Sequence, residues 1–69
     1  MPRVTVSRIT VPAMSTIGYG YGTDADTGRP VTFCESHRYM RHLGQELEQA
    51  VRDTGELQTI DVEDWMLLS

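Results

Sequence analysis

The chain has no lysine, no asparagine, a single cysteine, one phenylalanine, one tryptophan and no long unbroken apolar run. With one thiol, Cys34, an internal disulfide is excluded, so a small scaffold must draw its stability from its core, a metal or a partner subunit. Oligomerisation is therefore a live expectation. No apolar leader lies between Met1 and Val11, and nothing approaches the roughly 20 apolar residues that a membrane-spanning helix needs. Together with the free thiol, this sets the expectation of a reducing, cytoplasmic protein with no membrane partner. Cations are also scarce: six arginines stand against ten carboxylates, for a net charge of −4. That balance works against tight nonspecific binding to phosphates, and there is no basic arm.

What is present fits one domain. The chain has 69 residues, 39% of them apolar and 23% charged, without a long polar tract. This is near the lower limit for an unassisted fold, since such a chain buries only about 60% of the surface it exposes when unfolded.

In the first segment, Arg3 to Val11, Val4 and Val6 share one parity while Ile9 and Val11 share the other. A straight strand would split this apolar set across both faces, so the pattern predicts a bulge near Ser7 and Arg8, with Pro12 ending the strand. The stretch Met14 to Gly22 predicts a second strand with Ile17, Tyr19 and Tyr21 on one face and Gly18, Gly20 and Gly22 on the other. Three glycines in register call for the close approach of a backbone or a ring. The run Thr23 to Gly28 has the chemistry of a hairpin loop, leading into a third strand, Pro30 to Cys34.

The clearest element is a helix from His37 to Thr54. Ser36 suits its N-cap and Gly55 the position just past its end. Met40, Leu43, Leu47, Ala50, Val51 and Thr54 form one stripe at spacings of three and four. After Gly55, Ile60 and Val62 share one parity and Trp65 and Leu67 the other, which predicts two short strands around a turn or one bulged strand. The order β-β-β-α-β, with a fifth strand in reserve, is that of an OB-fold. The expected class is α+β: a small curved antiparallel sheet or a partly open OB-like barrel, with one helix across it.

Several chemistries are tested by the residues and weakened. Asp24, Asp26 and Glu35 fall on calcium-loop positions, but Gly28 stands where an oxygen ligand belongs and Arg29 where the loop glycine belongs. Cys34, His37 and His42 offer soft ligands, yet two histidines five apart on a helix diverge by about 140°. No metal and no cofactor are expected. Cys34 with His37 resembles a nucleophile and base, but no orienting group and no pocket walls can be named, so catalysis is not expected.

The surface candidates are stronger. Only five aromatics are present, and the core needs some of them. This favours Tyr19 and Tyr21 as core, with the glycine side as a bare outer contact face. In the opposite arrangement the tyrosines become a platform for a peptide or for bases. Arg38 and Arg41, joined by Arg8 or Arg29, would form a small anion patch near the helix start. The expected function is a small acidic noncatalytic interaction module or regulator. It binds a protein partner, or itself as a homo-oligomer, through the glycine–tyrosine strand or a sheet edge. Its binding residues are Tyr19, Gly20, Tyr21, Arg29, Arg38 and Arg41. The alternative is an OB-like nucleic-acid-binding domain using Tyr19, Tyr21 and the arginines.

Overall fold

A computed structural model describes residues 1–68. Strands β1 (Arg3–Thr10), β2 (Ile17–Asp24) and β3 (Pro30–Ser36) are followed by helix α1 (His37–Thr54), β4 (Thr59–Asp61), a 3₁₀ turn (Asp64–Met66) and β5 (Leu67–Leu68). They form one antiparallel sheet in the order β4-β1-β2-β3-β5, with α1 packed on one face. The sheet does not close into a barrel: β4 and β5 occupy opposite edges instead of meeting. Of the two expected architectures, the open sheet crossed by one helix is the one formed.

The parity break in β1 is resolved as the sequence predicts. Val6 pairs with Gly22 and Arg8 with Tyr21, so Ser7 is the extra residue of a bulge. Its hydroxyl donates to the Tyr21 carbonyl oxygen at 3.0 Å, which ties the bulge to β2. Beyond it the phase is inverted, and Ile9 joins Val4 and Val6 on the core side.

Helix α1 begins where Ser36 Oγ accepts from the Tyr39 amide. Caps of this type stabilise a helix by about 1 kcal/mol. It ends at Gly55, whose φ of 75° suits glycine and whose N–H donates to the Val51 carbonyl. From here the chain departs from the expected turn between paired strands. β4 pairs with β1, residues 62–66 cross to the far side of the sheet, and β5 pairs with β3. The crossing sinks Val62 and Met66 into the core, where they join Val4, Val6, Phe33 and Met40. That core lies between the sheet and the layer made by the helix and the crossing segment.

The hairpin from β2 to β3 is closed by Asp24. Its Oδ1 accepts from the amides of Asp26 at 2.8 Å and Thr27 at 3.0 Å, and Gly28 supplies the left-handed residue with φ of 75°. These two amide bonds, the Asp26 one foremost, hold the Asp24 carboxyl below its ordinary value of 3.8. A carboxylate with a depressed folded pKa contributes stability above its unfolded pKa and loses it as pH falls through the folded value. The stability gap between the native chain and an Asp24→Asn variant should therefore narrow as pH falls below about 4. Thermal melts of both chains over a series of acidic buffers check this; a gap that stays constant contradicts it.

Candidate functional site

The three glycines of β2 determine which side of the sheet is left open. A Cβ built on Gly18 would lie 2.7 Å from Met40 Cβ, one on Gly20 2.2 Å from Phe33 Cζ, and one on Gly22 2.2 Å from the Thr5 carbonyl oxygen. The glycine side is thus the inner side. The Phe33 ring lies over Gly20, its cross-strand partner, and α1 comes down on Gly18. This corrects the expectation that the tyrosines are core: Tyr19 and Tyr21 are half-buried on the face turned away from the helix. The reason is room. The Phe33 ring and the helix fill the space that inward side chains on β2 would have needed, and glycine alone leaves it free. Gly20 is buried and contributes no contact surface.

The outer face can be read from the register, since residues directly opposite on neighbouring strands share a face. Tyr21 lies between Arg8 and Thr32, and Tyr19 between Thr10 and Cys34. The Arg8 guanidinium sits 4.4 Å from the centre of the Tyr21 ring, a cation–π contact. The bulge is what makes this contact: with unbroken pairing Ser7 would face Tyr21, and Arg8 would point at Gly20 in the core. Thr5 and Thr59 extend the same face onto β4 with a hydroxyl–hydroxyl bond of 2.8 Å. The face therefore carries two tyrosines, one stacked arginine, a thiol and a set of threonine hydroxyls.

The arginine candidates do not converge with the tyrosines. Arg38 and Arg41 lie on exposed positions of α1, lining a shallow depression with Ser36, Tyr39, His42 and Gln45 on the other side of the molecule. Arg29 follows the hairpin at the far end of β3, roughly 20 Å of strand from the helix start, and does not join them. Arg8 stands apart from Arg38 but lines a second groove together with Arg41. The metal-like spacing does not assemble either. Cys34 opposes Tyr19 on the outer face, His42 Nε2 contacts Glu46 Oε1 at 2.9 Å on the helix surface, and no cluster of three His, Cys, Asp or Glu groups forms among the described residues. No helix among them is long and apolar enough to cross a membrane.

No family model, curated protein sequence or solved structure matches this chain. The geometry alone bears on its function. The sequence places Arg8 with the helix arginines, whereas the bulge beside it turns it outward opposite Tyr21 of β2.

Proposed function

We propose that the chain is a noncatalytic interaction module that docks a protein partner on the uncovered face of its sheet, around Tyr19, Tyr21 and Arg8. The observation that carries this reading is one-sided coverage. A five-stranded sheet has one face under a helix, while the other presents two aromatic rings and a stacked arginine. Tyrosine and arginine are the side chains that most often anchor protein interfaces, and truncating such an anchor typically costs at least about 2 kcal/mol of binding. The threonine hydroxyls around them suit the polar rim of such a patch.

A second reading has one observation in its favour. Tyrosines two apart on an open strand, with an arginine beside them, match the stacking platforms of single-strand binders. The charge of −4 weighs against it.

The test compares the native chain with Tyr19→Ala/Tyr21→Ala and with Arg38→Glu on the helix side, after thermal melts establish that all three fold. Affinity capture from the native host, together with sedimentation equilibrium, should show a bound polypeptide or a self-associated state. The tyrosine variant should lose it by a factor of about thirty or more, and Arg38→Glu should retain it. Unchanged binding in the tyrosine variant contradicts the reading. Salt-dependent retention of single-stranded oligonucleotides by the native chain alone favours the second.

A further inference from the structure

A separate surface lies on the opposite side of the molecule, along the edge of β1. β4 pairs only with Arg3, Val4 and Thr5, and the last contact of this ladder is the Val6 amide donating to the Gln58 carbonyl at 2.9 Å. Beyond it, Arg8, Ile9 and Thr10 have a strand partner on one side only, β2. In the place that a longer β4 would fill there is a groove of about 470 Å³ between this edge and α1. Ile9, Val11, Leu47, Val51 and Leu57 supply its apolar walls, and Leu57 is left 54% exposed at the mouth. An unpaired strand edge beside an apolar groove is the geometry of strand addition, in which main-chain bonds give affinity and alternate side chains give specificity.

The groove also has a charge of its own. Arg8, Arg41 and Arg52 line it with a single carboxylate, Glu48, which is already paired with Arg52. Of the three, Arg8 holds its guanidinium against the Tyr21 ring on the outer face and Arg52 is paired, so Arg41 is the cation that the groove offers in a protein whose total charge is −4. Arg41 makes no ion pair among the described residues. A second copy docking by the same edge would bring these arginines against their own images, a like-charge arrangement that opposes pairing.

We infer that the β1 edge receives an extended acidic peptide segment of another protein. The segment pairs with the backbone of Arg8–Thr10 as a continuation of β4, its apolar residues at alternate positions entering the groove and its carboxylates meeting Arg41. This does not depend on what binds the tyrosine face, since the two surfaces lie on different sides of the sheet. The net negative charge slows the encounter at low salt, but beyond about 10 Å it is screened at ordinary ionic strength, and Arg41 acts at contact distance.

The experiment uses two pools of capped octapeptides, each with Val, Ile, Leu or Phe at alternate positions. The intervening positions are Asp or Glu in one pool and Lys or Arg in the other. Panning against the immobilised full chain should enrich members of the acidic pool. Their amide titration should move the Arg8, Ile9 and Thr10 signals, and Arg41→Glu, an exposed change, should weaken them about tenfold or more. Tyr19→Ala, which leaves the Arg8–Tyr21 contact in place, should bind them as the native chain does, which separates this site from the tyrosine face. The inference is overturned if neither pool is enriched, if the basic pool binds equally well, if shifts fall on β2 and β3, or if the chain pairs with itself through β1.

Discussion

Gly20→Val is expected to destabilise the fold severely. A Cβ at this position would lie 2.2, 2.5 and 2.6 Å from three atoms of the Phe33 ring, and separations under 3 Å are not tolerated, so the ring must leave its place. Phe33 is fully buried at the centre of the core, and losing a phenylalanine from such a site costs about 3–5 kcal/mol. Scaled by length, a 69-residue domain has a total stability of roughly 3–10 kcal/mol, so the single change removes from about a third to all of it. Gly28→Ala is the matched control. Nothing lies within 4 Å of its Cβ, and only its φ of 75° resists the substitution, at about 1 kcal/mol. Urea denaturation followed by far-ultraviolet circular dichroism ranks the two. If they proved equal, close packing would not be the reason for glycine in β2. Gly20→Val therefore reports on folding and cannot be used to test docking.

The second large effect is expected from Phe33→Ala, about 3–5 kcal/mol, by loss of the ring from a site with no exposed surface. The decisive measurement is the pair. If the ring is what excludes a side chain at position 20, then Gly20→Ala should cost far less in the Phe33→Ala background than in the native chain. The coupling should be about 1–3 kcal/mol in a double-mutant cycle. Additive effects would mean that position 20 is restricted by the backbone instead. Trp65, 68% exposed, is a weak reporter of this core, so a backbone signal serves better than fluorescence.

Much of the architecture is legible in the residues because local rules act alone there. The helix from His37 to Thr54 is bounded by a serine cap and a left-handed glycine, and both signals are short in range. The bulge at Ser7 follows from a change of parity within one strand. Orientation of β2 is different, because its two sides are chemically plausible in either direction: tyrosines suit a core as well as a half-wet surface. What decides is the volume of Phe33 on the neighbouring strand and Met40 on the helix, neither of which is near Gly20 in sequence. The paths of β4 and β5 were hidden for a related reason. Ile60 and Leu67 show the right strand character, but which edge each one joins is set by where β1 and β3 leave room. The groove beside Ile9 exists only because β4 is three residues long, a property of the assembled sheet.

Residues 59–68 furnish both margins of the sheet and two members of its core, Val62 and Met66. On the ribosome, the first three strands and the helix emerge with that inner layer incomplete and both flanks unguarded. The sheet is therefore completed only once residues 59–68 have emerged, and until then a nascent β1 or β3 is open to chaperones and to neighbouring chains.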